Sequence, residues 1–285
     1  MAAALEVPMV RVAGGRTSDD VRALWVVWKR ELIRFRRNRL RILTSLAQPV
    51  LFLFILGTGL SSIIPTAAHF NFRTFMFAGV LGMTVLFTSI FSAISIVWDR
   101  EFGFLREMLV APVHRWTLVL GKCLGGATVA TIQGAIMLAL AGLVGVPYNP
   151  VMLLVLLLEM MLTAFALTAF GVMLAARISD VQSFQVVTQL FVLPMFFLSG
   201  AVFPITKLPA WLGVLSKLDP LSYAVDPLRK EVFSYLKIPP VIGRTFNPGV
   251  SWGSWHLPVY FELTLVAVAA LLMLGTAIRQ FSRPS

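Results

Sequence analysis

The residue of this sequence that comes nearest to carrying chemistry is an isolated acid. Glu159 interrupts the apolar run 151–176 near mid-depth. An ionised carboxylate there is costly, so it must face other helices or hold a proton. Two readings stay open: a pathway or proton-linked site, and a neutral carboxyl bonded to a neighbouring helix. Gln185 and Gln189 are four apart and share a helical face. Gln133 and Gln48 add further amides to apolar runs. Such groups either contact polar parts of a cargo or join helices to one another. Catalytic signatures are missing. Gly121-Lys122 is followed by Cys123, and Trp116 stands where a phosphate loop would begin with glycine. Neither H-e-x-x-H nor G-x-S-x-G occurs. His69, His114 and His256 are scattered without metal-ligand spacing, and the single cysteine, Cys123, excludes an internal disulfide. No catalytic residue, metal or cofactor is implied.

The elements that hold these groups are membrane spans. Of the 285 residues, 58% are hydrophobic and 13% charged, about half the charge of an average soluble domain. Mean hydropathy is +0.85. Such a chain is too apolar for water and too apolar to be disordered. Runs at about 43–63, 75–97, 121–146, 151–176, 184–203 and 257–278 are each long enough to cross a bilayer as a helix. The alternating ten-residue pattern of a membrane barrel is absent. The expected fold is all-α and polytopic, with six spans.

Charge sets the orientation. Residues 1–41 carry ten Lys and Arg, and the next basic cluster is Arg100, Arg106, Arg115 and Lys122. The short connections 64–72 and 147–150 carry none. Both termini are therefore expected in the cytoplasm, in a cytoplasmic (inner) membrane. The polar lead before the first run reads as a mature cytoplasmic end, not a signal peptide. The net charge of +11 is a topology signal, not a sign of nucleic-acid binding.

Residues 21–40 predict an amphipathic interfacial helix. Asp20 would cap it, and Val21, Trp25, Trp28, Leu32 and Phe35 would form an apolar face against lipid. This helix and the tail before it form one unit, 1–40, and the spans a second, 41–282. The stretch 99–111 predicts a helix, with Asp99 and Glu101 at its start, Phe102, Leu105 and Leu109 on one face, and Pro112 ending it. Its apolar face requires either the bilayer surface or a grooved partner. The segment 204–256 is too long for a plain connector. Its proline-broken apolar runs, Trp211–Leu218 and Tyr223–Tyr235, predict short re-entrant or surface helices, with Trp211, Trp252 and Trp255 at an interface. They serve either as a lid or as a gate.

Two blocks carry a family resemblance. Trp98-Asp-Arg-Glu-Phe-Gly-Phe-Leu-Arg-Glu-Met-Leu-Val-Ala-Pro112, followed by Gly121-Lys122, resembles the cytoplasmic coupling region of ABC transporter type-2 permeases. Leu198-Ser-Gly-Ala-Val-Phe-Pro204, Leu208-Pro-Ala-Trp211 and Leu218-Asp-Pro-Leu-Ser-Tyr-Ala-Val-Asp-Pro-Leu-Arg229 resemble the stretch around that family's fifth span and outer hairpin. Asp219 departs from the family's common Asn-Pro. The daunorubicin-resistance type of drug-efflux permease is the branch most similar, and the lipo-oligosaccharide exporters are similar too. The resemblance implies a permease subunit of an exporter of amphipathic compounds such as drugs. ATP would be hydrolysed by a separate ATP-binding subunit. That subunit would dock on Asp99, Arg100, Glu101, Phe102, Gly103, Leu105, Arg106, Glu107 and Pro112. A second copy, or a similar permease, would complete the pathway, with Gln133, Glu159, Gln185 and Gln189 as pathway candidates. A lipid or lipo-oligosaccharide cargo, and a proton-driven carrier using Glu159, remain the alternatives.

Overall fold

The computed structural model describes residues 17–63, 72–104, 113–204, 209–236, 243, 246–247, 249–252 and 255–282. The first helix, α1, is Thr17–Arg37. Span 1 is α2 (Arg39–Leu51), a π turn at Phe52–Leu56, and α3 (Gly57–Ile63). Span 2 is α4 (Phe72–Ser92) and α5 (Ile94–Glu101). Spans 3, 4 and 5 are α6 (Arg115–Leu138), α7 (Pro150–Ala175) and α8 (Val181–Leu198). Two short helices follow, α9 (Ala210–Leu218) and α10 (Ser222–Ser234), then a two-stranded hairpin, β1 (Ser251–Trp252) with β2 (Trp255–His256). Span 6 is α11 (Val259–Ser282). Among the described residues, six helical stretches are long and apolar enough to cross a membrane. The molecule is an all-α, multi-pass membrane protein.

Span 2 is the axis of the bundle. It is apolar on every side, as a helix surrounded by others must be. Phe75, Met76, Phe77, Leu81, Met83, Leu86 and Ile90 are all buried. Spans 3 and 4 and helix α10 pack around it. Spans 1, 5 and 6 lie outside. Leu43, Leu51 and Ile55 on span 1, Val186 and Leu190 on span 5, and Leu271 and Leu272 on span 6 remain exposed. Asn149 starts span 4 by accepting from the N–H groups of Val151 and Met152, and Asp180 starts span 5 by accepting from Ser183. Pro49 removes one backbone bond inside span 1, and the π turn follows directly.

Several expected boundaries move. Span 2 extends from the expected 75–97 to Phe72–Glu101, and span 6 from 257–278 to Val259–Ser282. In both, helical hydrogen bonding continues past the apolar run into charged residues. Span 3 starts earlier, at Arg115, and stops at Leu138 instead of 146. Ala141–Val144 forms a separate 3-10 turn, closed by Gly145 in the left-handed region at φ 81°. The apolar run there continues beyond the helix, so hydropathy alone placed the end too late.

Candidate functional site

Helix α1 docks lengthwise on span 3, and two glycines let it approach. A Cβ on Gly121 would meet Val27, and one on Gly125 would meet Glu31. The indole N–H of Trp28 donates to Thr128 Oγ1 at 3.1 Å. The contact face is therefore Asp20, Val27 and Glu31, all buried, while Val21 and Trp25 are exposed. Val21 and Trp25 of the apolar stripe thus lie outside the fold, and the face docked on span 3 is a different one that contains two acids. Asp20 does not cap its own helix. It sits in the first turn of α1, where its Oδ1 accepts from the backbone N–H of His114 at 3.0 Å and its Oδ2 lies 2.7 Å from His114 Nδ1. The backbone N–H of His114 holds the Asp20 carboxyl below the usual carboxylate range.

An ion network occupies the junction of α1 with spans 2 and 3. Lys122 Nζ lies 2.7 Å from Glu31 Oε1, 2.7 Å from Asp99 Oδ2 and 2.9 Å from Ser95 Oγ. Arg30 reaches Asp99 Oδ2 at 2.6 Å, and Arg34 reaches Asp99 Oδ1 at 3.5 Å. Lys122, Glu31 and Asp99 are all more than nine-tenths buried. Lys122 belongs to the body of span 3, not to the loop before it. A cation within an apolar run predicts an acid nearby, and that signal was present in the sequence. The identities of its partners, on α1 and α5, depend on how the helices pack.

The network overturns the expected helix start at Asp99. Ile94, Ser95, Ile96 and Val97 extend span 2, so Asp99, Arg100 and Glu101 form the end of a helix. Gly103, at φ 82°, turns the chain out of it, and its N–H donates to Arg100 O. Asp99 is committed to Lys122 and the two arginines. Arg100 is committed to the end of span 4, donating to the carbonyls of Ala175, Ala176 and Ile178 at 2.6–3.2 Å. Glu101, Phe102 and Phe104 are the exposed groups of this stretch among the described residues. Leu105, Arg106, Glu107, Leu109 and Pro112 lie outside the described residues.

A cavity of about 410 Å³ opens beside the network, within the range of small-molecule sites. Helix α1 contributes Glu31, Arg34 and Phe35; span 1 contributes Thr44, Ser45 and Gln48; span 2 contributes Phe87, Thr88, Phe91 and Trp98; span 3 contributes Gln133. Gln185 completes it from span 5. Hydroxyls, amides and aromatic rings thus line one space. The Gln133 amide donates to Ser45 Oγ at 2.5 Å and accepts from the Thr88 hydroxyl, so it both joins three spans and lines the cavity. Gln189 is exposed, and neither it nor Glu159 lines the cavity. Glu159 is 6% exposed with Oε2 unpartnered among the described residues, and Glu231 of α10 is a neighbouring acid. The hydrogen bond expected of a neutral Glu159 is therefore not made by this oxygen.

At the other end of the bundle, α10 is held by charge. Lys230 lies 2.8 Å from Asp226 and 2.9 Å from Glu262 on span 6. Arg229 donates to Gly200 O at 2.6 Å and stands 4.2 Å above the Phe75 ring. The expected short helices are present here as α9 and α10. Asp219 joins them, accepting from Leu221 N at 3.0 Å. Burial raises its pKa from 3.8 to about 8. Its contribution to stability is therefore complete below pH 3.8 and is lost as pH rises to about 8. Asp219→Asn keeps the acceptor without the charge. Melting temperatures should show the variant gaining on the parent as pH rises, by about 3 °C or more at pH 8. Parallel pH profiles for the two proteins would refute this.

Axis helix, apolar outer spans and a cavity of mixed polarity together define a membrane transport protein. The family model described as "ABC-2 type transporter" matches residues 22–233, and the chain belongs to that family. It is thus a permease subunit, and in this family the ATPase activity lies in a separate subunit. The chain is similar to Nodulation protein J of Rhizobium leguminosarum bv. viciae, at 28% identity over 86% of this chain and 92% of the relative. The same protein of R. leguminosarum bv. trifolii is 29% identical over 75% and 85%. The probable multidrug ABC transporter permease YbhR of Escherichia coli is 26% identical over 58% of this chain and 45% of its own length.

Proposed function

We propose that this permease exports amphipathic organic compounds, such as drugs, outward across the cytoplasmic membrane, with the cavity as the cargo site of each subunit. The observation that carries this reading is the cavity wall, where Phe87, Phe91 and Trp98 face the same space as Thr88, Gln133 and Gln185. An apolar body and a polar head both find partners there. The multidrug permease among the relatives supports a drug cargo. Nodulation protein J, similar over most of its length, supports the second reading, export of a lipid or lipo-oligosaccharide. The basic residues flanking spans 1 and 3 support cytoplasmic termini.

Two copies, or this chain and a similar permease, face each other, and two ATP-binding subunits dock at the basic end. Glu101, Phe102 and Phe104 are the exposed members of the docking segment among the described residues, with residues 105–112 beyond them. Glu159 belongs to neither the cavity nor the docking segment, and the family's use of ATP leaves it no task as a proton carrier.

The test is export from inverted membrane vesicles holding this chain and its ATP-binding subunit. ATP should drive a fluorescent amphipathic drug into the lumen, and Thr44→Phe, which projects a ring into the cavity, should cut the rate about tenfold. Glu159→Gln should leave it unchanged. ATP-dependent transport that ignores Thr44→Phe would reject the cavity as the cargo site.

A further inference from the structure

The ion network beside the cavity does not balance. Three cations, Arg30, Arg34 and Lys122, share two carboxylates, Glu31 and Asp99. Each acid already has a cation close to one oxygen, Lys122 at 2.7 Å from Glu31 Oε1 and from Asp99 Oδ2, with Arg30 at 2.6 Å from Asp99 Oδ2. Arg34 is the loosest member. It lies 3.5 Å from Asp99 and 3.9 Å from Glu31, and its buried Nη1 makes no hydrogen bond among the described residues. It is also the one cation lining the cavity among the described residues.

A guanidinium with an unfilled donor, partly exposed at the wall of a cavity, is a receptor for carboxylate, phosphate or sulfate. The facing acid, Glu31, is neutralised by Lys122 at 2.7 Å through Oε1. The excess positive charge acts over a short distance in a cleft with aromatic walls, which strengthens the preference. Phe87, Phe91 and Trp98 then take an apolar body. We infer that the cavity selects an amphiphile with an acidic headgroup, and that Arg34 reads the headgroup. This rests on the cavity being the cargo site and narrows the class of cargo.

The test uses the full-length protein in phosphatidylcholine nanodiscs and three probes of one skeleton: dansyl-undecanoic acid, its methyl ester and dansyl-undecylamine. Energy transfer from the tryptophans reports binding, with empty nanodiscs subtracted. The acid should bind about tenfold more tightly than the ester or the amine, the ratio expected of one charge-assisted contact. Arg34→Gln should reduce the acid to the affinity of the ester, and Arg34→Lys should restore part of the difference. Arg37→Gln, on the exposed side of α1, should retain all of it. Arg34 can be replaced without orphaning Asp99, which keeps Arg30 and Lys122, so the variant should fold.

An amine that binds as tightly as the acid would overturn the inference, as would an acid preference that survives Arg34→Gln. If all three probes bind equally and Thr44→Phe weakens all three, the headgroup assignment fails and the cargo site stands. If none binds more tightly than to Thr44→Phe, both fail. Displacement of the acid by inorganic phosphate at equal concentration would show a free-anion site and overturn the amphiphile. Displacement by a lysophosphatidate, with phosphate inert, supports it.

Discussion

Lys122→Met should lower the melting temperature of the detergent-solubilised protein by roughly 10 °C and abolish ATP-driven export. The substitution removes the central donor from Glu31 and Asp99 while both stay buried. Breaking a buried ion pair from one side costs about 3–5 kcal/mol, since the remaining charge has neither water nor partner. Methionine fills the space of the lysine stem, so loss of packing adds little. The mechanism is separable from simple loss of bulk. Adding Glu31→Gln and Asp99→Asn removes the stranded charges and should recover most of the melting temperature. Arg30 and Arg34, with side chains 38% and 34% exposed, then turn to water. Export should not recover, because α1 would no longer be tied to spans 2 and 3. A single variant that melts within about 2 °C of the parent would show that the network contributes no stability. A triple variant that exports normally would show that it transmits no movement.

Gly103→Trp should leave the protein inserted and its partner hydrolysing ATP while export falls at least about tenfold. Gly103 occupies the left-handed region, at φ 82°, and among the described residues nothing lies within 4 Å of a Cβ built there. The penalty is therefore conformational: a non-glycine residue loses roughly 1–2 kcal/mol in this region and pulls the turn toward another shape. Gly103→Asn offers a control, because asparagine tolerates the left-handed region, and it should retain most export. Glu101→Arg should uncouple in the same way. A cation at the end of a helix favours the dipole, so this change spares the fold and alters only the surface offered to the ATP-binding subunit. The comparison is ATP hydrolysis against drug accumulation in the same vesicles. Normal accumulation in both Gly103→Trp and Glu101→Arg would move the docking site elsewhere.

The spans were legible because the bilayer imposes one requirement, length with apolarity, and the sequence meets it six times. The short helices before span 6 were legible from prolines and tryptophans bounding apolar runs. The failures share a cause. The neighbours of Asp99 along the chain predict the beginning of a helix, and it ends one, because its decisive partner, Lys122, comes from another helix. The sequence predicts Asp20 as a cap for α1, and it serves His114. The apolar stripe of α1 marks its outward face, but the face that docks on span 3 has no such mark, because Gly121 and Gly125 select Val27 and Glu31. Pairings between helices are set by which small residues allow approach and which charges must be answered, and neither has a local signature. Gln133 and Gln185 were found because an amide in an apolar run is conspicuous. Arg34 was overlooked because an arginine among many at a basic end is not.

Span 2 carries a further consequence for how the molecule can move. Near its basic end Asp99 is bound to Lys122, and Arg100 to the carbonyls closing span 4. Toward its far end Phe75 lies under the Arg229 guanidinium, itself bonded to Gly200 O. A rod fastened at both ends has lost its freedom to slide along its own length, since sliding would break both sets of contacts together. What remains is rotation and tilt, with the break at Ala93 as the one joint between the two fastenings. Any stroke delivered from the basic end thus reaches the far end as a change of angle and not of depth.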